Sequence, residues 1–322
     1  MKEAPSLRKG SGEMSAPDAL HDRYRGVLLG LAVGNTLGLP VEYWPSAEIR
    51  RTYPQGMREI DPTERGLPWD DDLAQAVILA DAIIEHDTFL VEDLAQRLVT
   101  WGRTNGRGIG DQTARVIEAL RGGASPGVAA QLVWERHGGS AAGNGAVMRC
   151  APVAMRWPRD KERLLAETER SARVSHHDPR CAWSAYAINL AVAEALHGRI
   201  ASILDLADEL ERAGADTHTL QAVRDTAGHD LADLKLDEGA IGFTLKAMQA
   251  GLWCLEHSES FEESLVAVIS AGGDADTNGA VAGAILGALC GASAIPTRWL
   301  ANIHAVDRLT SLADQLLERA TS

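Results

Sequence analysis

Two groups of acidic residues, far apart in the chain, each stand immediately ahead of an apolar segment. The first is a run of three aspartates at residues 70–72 in WDDDLAQA, and the second comprises Asp274, Asp276 and Thr277 in GGDADTNGAVAG. One aspartate at such a place commonly caps a helix by accepting hydrogen bonds from its free N–H groups. Three adjacent carboxylates exceed what one cap needs, so both capping and ligand binding remain open from the spacing.

Carboxylates packed together raise one another's pKa and destabilise a fold unless a cation neutralises them. Oxygen ligands without histidine or cysteine favour Mg²⁺, Mn²⁺ or Ca²⁺ over zinc. If the two groups meet in space, they offer five carboxylates and one hydroxyl, which is more than a single Mg²⁺ normally takes from protein. The pattern therefore favours a pair of divalent cations.

The segments that must position these acids have helical periodicity. Leu73, Val77, Ala80 and Ile84 recur at helix spacing directly after the first acidic group. No alternating strand pattern is convincing anywhere, and Gly198 and Gly214 follow helix-like segments as C-terminal stops. An all-α fold is predicted.

Glycines also repeat at helix spacing in two segments. Gly279, Gly283 and Gly287 lie four apart, as do Gly26 and Gly30. Such stripes let helix backbones approach closely, so these two helices are predicted to cross at the centre of the fold. The second acidic group would then lie at the N-terminal edge of a buried helix.

Composition narrows the class of protein. The chain has 322 residues, 45% of them hydrophobic, and a formal charge of −14, which suits one large domain (21–322) and argues against a nucleic-acid-binding surface. Residues 1–20 are polar and are interpreted as a flexible tail. Residues 26–41 and 279–295 are too short and too rich in glycine and alanine to span a membrane.

The four cysteines are widely spaced and form no CxxC motif, so they suggest neither a zinc site nor a disulfide framework. The N-terminus has no apolar stretch of the kind found in signal peptides. Cytoplasmic localisation is the expectation.

Six motifs occur in an order and at intervals that resemble the ADP-ribosylglycohydrolase family over roughly residues 22–314. They are GLAVGNTLGLPVE (30–42), WDDDLAQA (69–76), GRGIGDQT (106–113), GNGAVMRCAP (143–152), SHHDP (175–179) and GGDADTNGAVAG (272–283). The resemblance implies a compact single-domain orthogonal helical bundle and a cleft with two Mg²⁺ or Mn²⁺ ions. It also implies a hydrolase that cleaves the glycosidic bond between ribose C1″ of ADP-ribose and a protein side chain or small acceptor.

The resemblance also assigns residues by position. The metal ligands would be Asp70, Asp71, Asp72, Asp274, Asp276 and Thr277; the catalytic groups Glu42 and Asp71; and the residues lining the ADP-ribose cleft Gly143, Asn144, Gly145 and His176. Independently, glycines in GNGAVMR would allow close approach, unusual dihedral angles and bare N–H groups facing a diphosphate, although most such loops are ordinary turns. His176 could equally be a buried histidine satisfied by a backbone group or by neighbouring Asp178.

Two departures from the family pattern stand out. Asp70 and Leu73 replace the usual threonines in Thr-Asp-Asp-Thr, and Asn35 replaces the usual aspartate after glycine. They leave two alternatives open, namely a pseudoenzyme that binds ADP-ribose or a related nucleotide, and a binuclear-metal hydrolase acting on another glycoside or phosphoester.

Overall fold

The computed structural model describes residues 15–322, which are helical and contain no β-strand. Three short 3₁₀ turns (Leu39–Val41, Asn144–Ala146 and Ala292–Ala294) accompany the helices. The α-helices of this region are α1 (Ala16–Gly38), α2 (Ser46–Thr52), α3 (Asp71–His86), α4 (Val91–Thr104), α5 (Asp111–Arg121), α6 (Pro126–Arg136), α7 (Ala151–Arg156), α8 (Lys161–Arg173), α9 (Pro179–Leu196), α10 (Ile203–Ala213), α11 (Thr217–Thr226), α12 (Thr244–His257), α13 (Phe261–Ser270), α14 (Ala275–Cys290), α15 (Thr297–Leu300) and α16 (Val306–Thr321). The predicted all-α class is confirmed.

The first helix begins inside the segment that the sequence suggested as a tail. Ser15 caps α1 by accepting a hydrogen bond from the Asp18 N–H, and Pro17 occupies the first turn. Residues 16–20 are therefore helical, whereas the rest of the predicted tail, up to residue 14, lies outside the described residues.

Helices α1 and α14 cross antiparallel at the centre of the molecule, with backbone against backbone. A Cβ atom added to Gly30 would lie 2.1 Å from the carbonyl oxygen of Gly283, and one added to Gly34 would lie 1.9 Å from that of Gly279. Gly26 and Gly287 make the same contact at the other end. The predicted glycine crossing is confirmed, and we refer to these six residues as the glycine seam.

Other helices pack around this central pair. Helix α14 also contacts α9, α12 and α13, while α16 covers α1, α3 and α7. The largest hydrophobic core runs from Tyr24 in α1 to Leu317 in α16, so both ends of the described chain are packed into it. The positions of α3 and α14 in this core place their N-termini beside each other.

The glycine stops expected at two helix ends are present. Gly198 and Gly214 follow the last residues of α9 and α10 with φ angles of +72° and +91°. All four cysteines are unpaired. Between residues 15 and 322, no helix has the length and apolar character that a membrane crossing requires.

Candidate active site and metal centre

The acidic residues lie where two helices begin, but they do not cap those helices. Asp70 occupies the N-cap position of α3 and Asp274 that of α14, and neither side chain accepts a capping hydrogen bond from its helix. Both residues are nonetheless buried. The carboxylates are therefore available to a ligand, and the helix dipoles favour their negative charge.

The structure brings the acids together in two groups that share Asp276. One group contains Asp70 and Asp72, and the other contains Glu42 and Asp274; within each group, ligand oxygens lie within 4.8 Å of one another. The predicted convergence of the two acidic clusters is thus confirmed. We call these five residues the acid cluster.

Asp71 is near the acid cluster but belongs to neither group of three, and Thr277 follows Asp276 in the first turn of α14. Both line the adjoining cleft. Consecutive residues in a helix point about 100° apart, because 3.6 residues make one turn. Asp71 and Asp72 therefore point in different directions, whereas Asp70 is the N-cap, whose extended backbone frees its side chain from this spacing.

The donor set of the acid cluster fits hard divalent cations. The Oδ1 atoms of Asp72 and Asp276 are buried and accept no hydrogen bond from the residues described. Uncompensated buried carboxylate oxygens are costly unless a cation or proton satisfies them. Oxygen ligands of this kind suit Mg²⁺ and Mn²⁺.

Burial and mutual repulsion disfavour the charged forms of these carboxylates. Burial raises the pKa of Asp72 and of Asp276 well above the usual range, and neighbouring carboxylates raise both further. Burial likewise raises the pKa of Glu42 and that of Asp71. A bound cation would reverse this tendency, since it stabilises the ionised carboxylate.

Asn35 and Leu73, the two neutral departures from the family pattern, have clear structural surroundings. The Asn35 Nδ2 donates a hydrogen bond to Asp72 Oδ2 at 3.3 Å, so this amide supports a ligand oxygen without adding another negative charge. Leu73 is buried in the hydrophobic core. The residue at position 73 therefore contributes packing and no ligand oxygen.

A cleft of about 340 Å³ opens beside the acid cluster. It is bounded by the start of α3, the start of α5, the start of α14 and residues 143–145, which we call the glycine turn. Tyr43 and Ile241 lie at its edge, with 58% and 36% of their surfaces exposed. Residues of both the acid cluster and the glycine turn line the cleft.

The glycine turn requires glycine because of close approach, and the expectation of unusual dihedral angles was wrong. Gly143 has a φ of −67° and Gly145 is not among the residues with positive φ. A Cβ atom on Gly145 would lie 2.7 Å from Cε1 of His176, and one on Gly143 would lie 2.9 Å from Oε1 of Gln112. Side chains at either position would push into these neighbours.

The polar groups of the glycine turn are also largely used within the protein. Gly143 N–H donates to Gln112 Oε1 at 3.2 Å, and Asn144 N–H donates to the carbonyl oxygen of Gly242 at 3.0 Å. These two N–H groups are therefore not bare, contrary to the expectation for a diphosphate loop. The Asn144 side chain donates to Asp274 Oδ2 at 2.8 Å, which ties the turn to the acid cluster.

His176 lines the cleft although only 2% of its surface is exposed. Its Nδ1 lies 2.8 Å from the hydroxyl of Ser175, so its ring is paired with a side chain and not with a backbone group. Asp178 instead binds Arg180 and Trp134. Burial lowers the pKa of His176 to about 3, with a further contribution from the positive charge of Arg149.

Sequence reasoning missed several residues that line the cleft. Gln112 and Thr113 lie in GRGIGDQT, a motif to which the sequence comparison assigned no binding residue. Tyr43 directly follows Glu42. Tyr43 has a φ of +63°, which is uncommon for a residue with a side chain. Proximity to recognised motifs could have indicated these three residues, whereas no sequence signal points to Ile241.

Comparison with known proteins decides the family. The family model described as ADP-ribosylglycohydrolase matches residues 16–322. The chain belongs to this family. Family membership confirms the resemblance noted in the sequence and the assignment as a glycosidase-type hydrolase.

Individual members of the ADP-ribosylglycohydrolase family align with most of the chain. The chain is 27% identical to ADP-ribosylarginine hydrolase Tri1 of Pseudomonas putida, over 94% of its own length and 80% of that protein. It is 28% identical to ADP-ribosyl-[dinitrogen reductase] glycohydrolase of Rhodospirillum rubrum, over 90% and 92% of the two chains. A solved structure titled "ADP-ribosylglycohydrolase-related protein complex" superposes with a TM-score of 0.77 at 30% identity, covering 94% of this chain and 99% of the other.

Proposed function

We propose that the chain is a divalent-metal-dependent ADP-ribosylhydrolase that cleaves the bond between ribose C1″ and a modified protein side chain or small acceptor. The observation that carries this proposal is the acid cluster, two groups of carboxylates sharing Asp276 at the end of a cleft. Hydrolysis of ADP-ribosyl glycosidic bonds is the activity of the family. Metal dependence and the identity of the acceptor belong to the proposal.

The two groups of the acid cluster would hold one cation each. Asp70 and Asp72 would serve the first site, Glu42 and Asp274 the second, and Asp276 both. Thr277 would assist through its hydroxyl, since it adjoins Asp276 in the chain and lines the same cleft. When bound, the cations would supply Lewis-acid chemistry that orients ribose oxygens and neutralises the carboxylates.

The protein groups next to the cations would handle the proton of the attacking water. Cleavage passes through an oxocarbenium-like state at C1″, so a nearby carboxylate stabilises developing positive charge and accepts a proton from water. Glu42 is suited to this role because its carboxylate lines the cleft beside the second cation site. Asp71, which lines the cleft outside both groups, is the second candidate for proton transfer.

The part of the cleft beside the glycine turn would receive the remainder of ADP-ribose. The absence of side chains at Gly143 and Gly145 leaves room there for Gln112 and His176, which both line the cleft. Asn144, which we predicted to contact substrate, would act by connecting the turn to Asp274. This arrangement would bind Mg²⁺ or Mn²⁺, together with either ADP-ribose or an ADP-ribosylated acceptor.

The test is release of ADP-ribose from a panel of acceptors modified on arginine, on serine or at nucleic-acid ends, with Mg²⁺ and with Mn²⁺. We expect turnover on at least one acceptor, loss of turnover on chelation, and its return when metal is restored. Asp276→Ala should lower both metal content and turnover by at least about a hundredfold, because it removes a ligand common to both sites. Asp208→Ala is the matched control, since it removes an exposed carboxylate from α10.

Full turnover after exhaustive chelation would remove metal from the proposal. The pseudoenzyme alternative is favoured by Asn35 and Leu73, and it would be supported by calorimetric binding of ADP-ribose without hydrolysis of any acceptor. Products identified by mass spectrometry would reveal a different glycoside or phosphoester as substrate.

A further inference from the structure

Arg149 is a buried cation that no part of the proposed reaction uses. Only 1% of its surface is exposed. Its Nη1 donates to Gln75 Oε1 at 2.6 Å, and its Nη2 donates to Ser175 Oγ at 2.6 Å and to the carbonyl oxygen of Ser171 at 3.2 Å. Each of these acceptors is neutral, and the guanidinium forms no ion pair with the carboxylates that the structure describes, although the charge of Asp71 acts on it.

Ser175 stands between Arg149 and His176, and its own surface is 1% exposed. Arginine has donors only, so the Ser175 oxygen must accept from Arg149. The hydroxyl proton then needs an acceptor of its own, and His176 Nδ1 lies 2.8 Å away. Donation from Ser175 to Nδ1 satisfies both groups, whereas donation in the opposite direction would leave the buried hydroxyl proton unpaired.

This direction of hydrogen bonding determines which nitrogen of the imidazole carries a proton. Because burial keeps His176 neutral, an unprotonated Nδ1 requires a protonated Nε2. The Nε2 edge of the ring faces the glycine turn, since Nε2 would lie 3.0 Å from a Cβ on Gly145 and 3.5 Å from one on Gly143. The hydrogen-bond chain therefore ends in an N–H beside the glycine turn, on a residue that lines the cleft.

We propose that Arg149 and Ser175 are positioning residues that fix the His176 imidazole as an Nε2–H donor to an oxygen atom of the bound ligand. The positive charge of Arg149 polarises the Ser175 hydroxyl, and a polarised chain of hydrogen bonds strengthens the terminal donor. Phosphate and ribose oxygens are the acceptors that ADP-ribose offers. The inference rests on the proposed function for its ligand alone, because the direction of the hydrogen bonds is a property of the free protein.

Nitrogen-15 NMR of the histidine-labelled protein tests the proposal without ligand. In the wild type, Nδ1 of His176 is expected at the chemical shift of an unprotonated ring nitrogen and Nε2 at that of a protonated one, across the neutral pH range. The signals are assigned by their absence in His176→Gln. A protonated Nδ1 in the wild type would overturn the proposal even if every other variant failed to fold.

A pair of serine variants separates positioning from simple packing. Ser175→Ala removes the donor to Nδ1 and should yield a mixture of the two neutral forms, together with about fivefold weaker binding of ADP-ribose. Ser171→Ala is the matched control, because it removes an equally buried hydroxyl from the same segment while its carbonyl still accepts from Arg149. It should leave both the NMR signature and the affinity within about twofold of wild type.

Identical behaviour of the two serine variants would contradict the proposal. Failure of wild-type protein to bind ADP-ribose, with the NMR signature intact, would contradict the proposed function and leave the hydrogen-bond chain established. The two outcomes are therefore distinguishable.

Discussion

Glu42 lies immediately after the 3₁₀ turn that ends α1, where it belongs to the acid cluster and lines the cleft. Glu42→Gln keeps the size and one oxygen of this side chain but cannot accept a proton from water. We expect ADP-ribose to bind within about threefold of wild type and turnover to fall by about 10²–10⁴. Calorimetry and single-turnover kinetics measure the two quantities separately.

Asp71→Asn is the companion variant for proton transfer, because Asp71 lines the same cleft without belonging to either group of the acid cluster. If Glu42→Gln retained the full rate while Asp71→Asn lost it, the proton-transfer role would pass to Asp71.

The acid cluster should destabilise the metal-free protein above mildly acidic pH. Asp276 has a raised pKa in the folded state, with burial as the largest cause, so the folded state binds more protons than the unfolded one. Its penalty is absent below the ordinary pKa of 3.8 and grows as pH rises through and beyond that value. In chelator, Asp276→Asn should therefore be roughly 1–2 kcal/mol more stable than wild type at pH 8.

That difference should shrink towards zero below about pH 3, where the Asp276 side chain is uncharged in both the folded and the unfolded state. Urea unfolding at several pH values measures it, and saturating Mn²⁺ should reverse the order of the two proteins because the asparagine loses a ligand charge. A variant less stable than wild type in chelator at pH 8 would contradict the strain assigned to these carboxylates.

At the scale of elements, the glycine seam determines how α1 and α14 meet. Gly283→Ala would place Cβ 2.1 Å from the carbonyl oxygen of Gly30, so the two helices would have to separate. We expect a loss of at least about 2 kcal/mol in the free energy of unfolding, in spite of the better helix propensity of alanine. Urea denaturation measures the loss.

Gly127→Ala provides the control for helix propensity. Gly127 lies in α6, and a Cβ atom there would meet nothing within 4 Å. This variant should be as stable as wild type or slightly more so. Equal stability of the two alanine variants would show that the glycine seam tolerates a methyl group, which would contradict the close packing of α1 against α14.

The seam and the acid cluster also show what sequence could and could not predict. Four-residue spacing is a local property of a helix, so Gly279, Gly283 and Gly287 revealed a close crossing without any structure. The same helical geometry predicts that Asp71 and Asp72 point about 100° apart, but it does not predict the extended N-cap backbone that lets Asp70 join Asp72.

Contacts between distant segments could not be predicted in the same way. The hydrogen bond from Asn144 to Asp274 joins residues 130 positions apart, and the path from Arg149 through Ser175 to His176 depends on where α8 ends against the turn before α7. Such pairings are set by tertiary packing, and no periodicity within a segment encodes them.

At the scale of the whole molecule, the acid cluster draws on the end of α1 and the starts of α3 and α14. Cations bound there would hold distant parts of the chain together. Mn²⁺ at about 100-fold above its Kd should stabilise the folded protein by about 2.7 kcal/mol, which corresponds to a rise of several degrees in Tm.

Scanning calorimetry tests this rise together with the prediction of one domain over residues 21–322. A single transition that moves as a unit with Mn²⁺ is expected for wild type and for Asp208→Ala, whereas Asp276→Ala should show little movement. Two transitions, of which only one responds to Mn²⁺, would divide the chain into separate domains.

Because no side chains intervene between α1 and α14, the gap between these helices is fixed by covalent backbone geometry and cannot be adjusted by a change of rotamer. Glu42 follows α1 and Asp276 lies in the first turn of α14. The distance between their carboxylate oxygens therefore depends on how closely these two helices pack. Under the proposed function, substitutions of the exposed residues Tyr43 and Ile241 would alter acceptor preference without changing the dimensions of the metal-binding end.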